Sequence, residues 1–303
     1  MHLLIPYAAP LSDEGHRVLS SLRLPALQAL LSELAPSERD DGDAQSLSPP
    51  HERALARAWG LAGADGRLPW GAREAERAGM DPAGHAWGML TPVHWRVDAD
   101  GVRLEDPQQL GLDAAASKAL FDTVRPLLQE EGAVAAWRAP LAWLIAHPAL
   151  DHLATASVDR AVGRQVEPWL PDVGFVRRLQ LEVQMLLHRH PVNDARENAG
   201  LPPVNSVWLS GCGRHQPAAD ADPVQVDDRL RGPALAGDWA AWADAWRALD
   251  AGPLEALRRT GGALTLCGER SAQRFEPART GGWWRQLARG WKRTEPATVL
   301  ETL

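Results

Sequence analysis

Residues 2–34, HLLIPYAAPLSDEGHRVLSSLRLPALQALLSEL, set two hydrophobic periods side by side. The continuous apolar run from His2 to Ala8 is the pattern of a short buried strand. The Leu- and Ala-rich run from Glu14 to Leu34, punctuated by Pro25, reads as one or two helices on a common core. A strand passing directly into helix opens an α/β fold.

Downstream segments extend that reading. Pro36 to Pro50 carries Glu38, Asp40, Asp41 and Asp43 and ends in Ser-Pro-Pro, so it reads as a flexible acidic loop. His51 to Trp59 is helical, with Gly60 at the C-cap. From His85 to Leu104 apolar residues mostly alternate around the turn Asp98-Ala99-Asp100-Gly101, the signature of a hairpin. Asp113 caps a helix that Pro126 should kink or shorten, and Val134 to Trp137 suits a strand. Val173 to His190 reads as the longest helix, with a wide apolar stripe stopped by Pro191. Ser206 to Ser210 and Ala263 to Cys267 are short apolar runs expected as buried strands of a mixed sheet. Between them lies a second acidic loop, His215 to Asp228. Trp239, Trp242 and Trp246 share one helical face as a packing seam. No composition break divides the chain, so a single α/β domain over 1–303 is expected.

Composition excludes several function classes. The 303 residues can bury a full core, and no stretch approaches the roughly 20 apolar residues of a membrane span. Without a signal-peptide pattern, the expected location is the cytoplasm. Cys212 and Cys267 are too few for a disulfide framework or a four-thiolate zinc site. Lys118 and Lys292 stand against thirty arginines, which leaves almost no candidate for Schiff-base chemistry. The net charge of −7 argues against nucleic-acid binding by the whole surface. The segment 277–303 is nevertheless basic and tryptophan-containing. Arg285, Arg289, Lys292 and Arg293 are its candidate nucleic-acid contacts, with docking on an acidic body as the favoured alternative.

The most site-like segment runs from His190 to Arg214, where a core helix ends and a strand delivers Gly211-Cys212-Gly213-Arg214. Glycines let backbone N–H groups approach an anion, and Arg214 with Arg196 supplies positive charge. The expected ligand-binding set is Arg196, Asn205, Ser210, Gly211, Gly213 and Arg214, with an anionic small molecule as partner. A tight turn with a surface arginine is the competing reading. His188 and His190, two residues apart, point in different directions on a helix and read as helix-end residues rather than metal ligands. Cys212 near His215 lacks a third group to orient it as a nucleophile. The run Leu153 to Arg164 suits a buried Asp–Arg network.

The segments AWGMLTPVHW, LATASVDRAVGR, RRLQLEVQMLLHRHPVNDAR and LPPVNSVWLSGCGR resemble the bacterial RpfE-like regulatory proteins. The pattern HPVN…R…G…N-[ST]-x-W-x-x-G-x-G, between His190 and Arg214, also resembles archaeal-type cofactor-independent phosphoglycerate mutases of the alkaline-phosphatase-like superfamily. The first resemblance is densest from Gly84 to Arg214 and extends more loosely over HLLIPYAAP and PHERALARAWGL. The second rests on His190 to Arg214. The mutase resemblance implies a mostly parallel mixed sheet flanked by helices, and two metal ions that activate a serine. Those ions need several Asp and His ligands.

This sequence departs from that metal pattern. The first strand runs into Tyr7-Ala8-Ala9-Pro10 without a carboxylate, and no histidine follows Cys267. The expectation is a degenerate phosphoglycerate-mutase-like core kept as a non-catalytic regulatory or anion-binding protein, with no metal and no cofactor. The alternative is a metal-dependent mutase or phosphatase drawing ligands from His94, Asp159, His188, His190 or Asp194.

Overall fold

The computed structural model describes residues 1–217, 223–277 and 295–303. In chain order the elements are β1 (His2–Ile5), α1 (Asp13–Ser21), α2 (Pro25–Glu33), β2 (Leu34–Asp41), α3 (Pro50–Ala58), α4 (Trp70–Arg77), β3 (Ala86–Val93), β4 (Trp95–Asp98), β5 (Gly101–Leu104), α5 (Ala114–Glu130), β6 (Val134–Ala139), β7 (Ala142–Ala146), α6 (Val158–Ala161), α7 (Gly174–Leu187), α8 (Pro191–Asn198), β8 (Ser206–Arg214), β9 (Val224–Val226), α9 (Arg231–Ala236), α10 (Trp239–Leu249), α11 (Glu255–Thr260), β10 (Ala263–Cys267), β11 (Ser271–Pro277) and α12 (Pro296–Leu300). Where one domain over 1–303 is expected, the contacts separate two compact units. One combines Met1–Gly60 with Ala219–Leu303; the other is Leu61–Ala218. Each unit has strands, helices and its own apolar core, so composition does not change at the boundaries.

The first unit is built on a five-stranded sheet of order β2-β11-β10-β1-β9. His2 opposes Ala263 on one side and Val224 on the other, and β1 is parallel to both neighbours. On one face the buried residues Leu27, Leu30, Trp242 and Trp246 join Leu3, Ile5 and Leu266 in the core. The tryptophan seam is real. Trp239, Trp242 and Trp246 stack edge to face at 5.9 and 6.1 Å, and Trp242 Nε1 donates to the Tyr7 carbonyl at 3.0 Å. Pro25 is the first residue of α2, as expected of a proline between two helical runs.

One acidic stretch is corrected. Residues 34–41 form strand β2, pairing antiparallel with β11, where a flexible loop is expected over 36–50. As an edge strand with both faces largely solvated, β2 needs only backbone partners on one side, so its side chains carry no apolar alternation. Within the second acidic stretch, 215–228, Val224–Val226 is likewise a strand.

The second unit holds an antiparallel sheet of order β6-β7-β3-β8 and the separate hairpin β4-β5, closed at Asp98 to Gly101. Leu120, Phe121 and Val124 of α5 and Val176, Leu179 and Val183 of α7 share a core with Leu90, Ile145 and Leu209 of the sheet. On the opposite face α4 brings Ala72 and Ala75 against Trp87 and Leu144. A Cβ on Gly71 would stand 2.6 Å from the Gly88 Cα, so α4 rests on the sheet backbone to backbone. Among the described residues the longest helix is α5, with 17 residues against 14 in α7. It runs on to Glu130 past Pro126, whose ring is on the exposed side where water can serve the freed carbonyl.

The chain thus adopts the expected α/β architecture, a mixed sheet with flanking helices. Among the described residues parallel strand pairs lie only on the two sides of β1, beside an isolated parallel bridge between Leu104 and Val162, and the other strand pairs are antiparallel. The predominance of parallel pairs is therefore corrected. Links such as Gly268 to Arg270 between β10 and β11 are far too short for the crossover that parallel neighbours need. No helix among the described residues is long and apolar enough to cross a membrane. The cations Arg285, Arg289, Lys292 and Arg293 lie outside the described residues.

Candidate functional site

The segment from His190 to Arg214 folds as α8, a short link and β8, and Asn193, Arg196 and Asn205 are engaged with the backbone. Asn205 mimics a peptide: its Oδ1 accepts from the Trp95 N–H at 2.7 Å and its Nδ2 donates to the Trp95 carbonyl at 2.9 Å. Arg196 is buried, donating to the carbonyls of Pro202 (2.9 Å) and Leu110 (2.5 Å). Desolvation lowers its pKa, partly offset by Asp113, but a guanidinium stays charged. Asn193, not singled out from the sequence, donates to the carbonyls of Leu187 and Val204 and accepts from the Val204 N–H.

Further along β8, Ser210 is buried and Gly211 takes φ 62° beside Trp70, while Gly213 packs on Pro69. Arg214 donates from Nε (2.8 Å) and Nη2 (2.6 Å) to Asp151 Oδ2, and these hydrogen bonds hold Asp151 below the usual carboxylate range. Gly211, Gly213 and Arg214 lie toward one strand end, and Ser210 is at the middle of the strand. Asn205 precedes the other end, roughly 30 Å away by strand rise, and Arg196 sits on α8. Because β8 is an antiparallel edge strand, the rule placing ligands at the carboxyl ends of parallel strands does not reach it.

The histidines of the second unit are tied into local structure. His190 caps α8, its Nδ1 accepting from the Val192 N–H at 3.2 Å and its Nε2 lying 3.0 Å from Thr123 Oγ1. Since an amide can only donate, Nδ1 is the unprotonated nitrogen and Nε2–H faces Thr123. Burial lowers the His190 pKa, with Asp194 opposing. His94 Nδ1 faces the Pro203 carbonyl at 2.8 Å, and His215 pairs with Glu76 at 3.1 Å rather than with Cys212. At Glu76 burial favours the neutral acid, but the hydrogen bonds from His215 and Arg73 outweigh it and lower the pKa. Asp159 and Arg160 belong to the short helix α6, and Arg160 is buried. Among the described residues no three His, Cys, Asp or Glu side chains are placed to hold a metal ion. Burial pushes the Cys212 thiol up to about 12, and the Cys267 thiol is also raised by burial.

The first unit contains the crevice that its topology calls for. With parallel neighbours on both sides, β1 ends where, among the described residues, a ligand can meet the carboxyl ends of adjacent parallel strands. There Tyr7 takes φ 56°, a left-handed conformation costly for a residue with a Cβ. It is held by Trp242 on its carbonyl, by the Ala8 N–H on the Cys267 carbonyl (2.8 Å), and by ring contact with His51 at 5.6 Å. The chain turns through Pro10 to Ser12, whose side chain caps α1. A cavity of about 420 Å³ opens here, lined by Ser12, Asp13, His16, Asp41, Glu269 and Arg270 among others. Asp41 is held low by hydrogen bonds from Ser271 (2.8 Å) and Arg39 (2.7 Å). Residues after α12 form one wall, with the Ser271 N–H donating to the Leu303 carbonyl at 2.9 Å. Four carboxylates, Asp13, Asp41, Glu269 and Glu301, against the Arg270 guanidinium make the lining net acidic, suited to hydrogen bonding and to a positively charged group. Sequence reading passed over this place; the usable signal was the apolar strand running into Pro-Leu-Ser-Asp-Glu, a strand end followed at once by a helix cap.

No family model matches the chain, and no curated protein matches it. Among solved structures it is similar to a cofactor-independent phosphoglycerate mutase from Thermoplasma acidophilum, at 14% identity and TM-score 0.37 over 100% of this chain and 98% of that one. It is also similar to the PH0037 protein from Pyrococcus horikoshii, at 12% identity and TM-score 0.44 over 99% of this chain and 95% of that one.

Proposed function

We propose that the protein is a non-catalytic small-molecule-binding protein on a degenerate phosphoglycerate-mutase-like core, and that its ligand sits in the crevice at the carboxyl ends of β1 and β10. The observation that carries this reading is the cavity bounded by Ser12, Asp13, His16, Glu269 and Arg270 beside the strained Tyr7. Its net acidic lining favours a polar ligand bearing an amine or hydroxyl groups. The anionic ligand expected near Arg214 gains less support, because that guanidinium is already on Asp151 and the Arg196 guanidinium is on two carbonyls. The buried thiols of Cys212 and Cys267 also favour binding over covalent chemistry.

The test is thermal stability of the purified protein with spermidine, a polyol and 3-phosphoglycerate in turn. Stabilisation by the amine or the polyol, lost in Asp13→Asn/Glu269→Gln, supports the crevice; stabilisation by 3-phosphoglycerate alone defeats it. The metal-dependent mutase reading is tested separately by a coupled assay of 3-phosphoglycerate and 2-phosphoglycerate interconversion with Mn²⁺. Turnover abolished by EDTA would overturn the non-catalytic reading.

A further inference from the structure

Residues 295–303 lie against the crevice at the carboxyl ends of β1 and β10, and what holds them there differs from what holds the rest of the unit. Among the described residues the segment joins no sheet. Its helix α12 has five residues, too few to persist alone. Two leucines anchor it, Leu300 and Leu303, both buried in the core of the first unit. The remaining attachment is a ring of hydrogen bonds at the end of the β2–β11 ladder, where Asp41 opposes Ser271. Asp41 Oδ1 accepts from Arg39 Nε at 2.7 Å and from Ser271 Oγ at 2.8 Å. Arg39, two residues back on the same face of β2, also donates from Nη2 to the Thr302 carbonyl at 2.6 Å. The Ser271 N–H closes the ring on the Leu303 carbonyl at 2.9 Å.

We propose that residues 295–303 are a strap across this crevice, that Arg39 is its latch, and that a ligand enters when Arg39 releases the Thr302 carbonyl. The inference rests on the crevice being the ligand site. Leu300, Glu301, Thr302 and Leu303 supply one wall of the cavity, so moving the strap uncovers that wall. The latch is weak in the way a reversible closure needs. The Arg39 and Asp41 side chains are 37% and 65% exposed, and an ion pair in water is held only loosely. The other end of the strap is underlaid by a second cavity of about 220 Å³, where Glu295, Pro296 and Ala297 share the lining with Leu19, Leu22 and Gln28. Hollow space there leaves room for the strap to pivot without repacking the sheet. By contrast, β1 lies between two parallel partners with Leu3, Leu4 and Ile5 fully buried, so it opens only with the unit as a whole.

The test is hydrogen exchange of the full chain by mass spectrometry, together with the affinities and association rates of spermidine and sorbitol. The amides of Val299, Glu301, Thr302 and Leu303, all hydrogen-bonded within the segment, are expected to exchange about a hundredfold faster than those of β1 and β10. Arg39→Ala accelerates them about tenfold further and leaves β1 and β10 unchanged. It also raises the association rate of the probe that binds, by about tenfold. Arg57→Ala is the charge control: it removes the same charge beside β2, from an arginine paired with Glu38 and Asp40 rather than with the strap, and changes neither readout. Strap amides that exchange as slowly as those of β1, or that ignore Arg39→Ala, overturn the strap whether or not a probe binds. Equal association rates in wild type and Arg39→Ala, or an equal rise in Arg57→Ala, overturn its role in entry. Exchange as expected with neither probe binding defeats instead the reading of the crevice as the ligand site, and the entry role with it.

Discussion

Asn193 and Val204 are joined by a reciprocal pair of hydrogen bonds: the Asn193 amide donates to the Val204 carbonyl at 2.8 Å, and the Val204 N–H donates to Asn193 Oδ1 at 2.9 Å. A third bond, to the Leu187 carbonyl, ties the end of α7 to the same side chain. Asn193→Ala strands the buried N–H and carbonyl of Val204, while the Leu187 carbonyl keeps the His190 N–H, so the expected loss of stability is about 2–4 kcal/mol. Urea unfolding followed by circular dichroism measures it; a loss below the variation among surface substitutions would show that water replaces the clasp.

Asp250 plays a comparable part in the first unit. Buried far along the chain, it accepts from the Ala26 (3.1 Å) and Leu27 (2.8 Å) N–H groups in the first turn of α2, which has no side-chain cap of its own. Asp250→Ala should cost about 2–4 kcal/mol. Asp250→Asn keeps one good acceptor and should cost less. Equal stability of all three proteins in thermal unfolding would contradict this account.

These two residues show what was legible in the sequence. Strand, helix and hairpin positions followed from periodicity: β1, α5 with its Asp113 cap, the β4-β5 turn and the Trp seam all lie where apolar spacing put them. Strand β2 was not legible, because LAPSERDD is stabilised by backbone pairing at an edge and leaves no side-chain period. The His190 to Arg214 segment reads as a cluster of polar residues, and Asn193, Arg196 and Asn205 satisfy backbone groups of neighbouring segments. The chemistry of a hydrogen-bonding clasp and that of a ligand shell use the same residue types. The β1 and β10 crevice depends on which strands become neighbours across more than 250 residues, information that no local window contains.

His190 gives a pH dependence with a definite sign. Its folded pKa lies below the ordinary 6.5, chiefly through burial, so the native state favours the neutral ring. The stabilisation is present above pH 6.5 and is lost as pH falls through the lower folded value. Protonating Nδ1 would also turn a donor toward the Val192 N–H. Denaturation midpoints should therefore fall as the pH drops below 6.5, and less so in His190→Asn, which can still cap α8. An NMR titration midpoint for His190 at or above 6.5 would refute the argument.

Both cysteines should resist thiol reagents while the protein is folded. With the Cys212 thiol pushed up to about 12, its thiolate fraction at pH 8 is about a thousandfold below that of a free cysteine. Labelling by a chromogenic disulfide should follow unfolding, Cys267 with the first unit and Cys212 with the second. Rapid modification of one thiol in native protein would contradict the burial of Cys212 and Cys267.

The placement of β1 also fixes an order of events during synthesis. His2 to Ile5 leaves the ribosome well before its partners, Val224 to Val226 and Ala263 to Cys267. Residues 61–218 emerge complete in between and hold every strand of their own sheet. That unit can fold while the tether to β1 is still growing, and each doubling of the tether adds only about 0.6 kcal/mol to closing it. Until β10 arrives, an unpaired His-Leu-Leu-Ile strand with two open edges is the segment of the nascent chain most in need of protection from other chains.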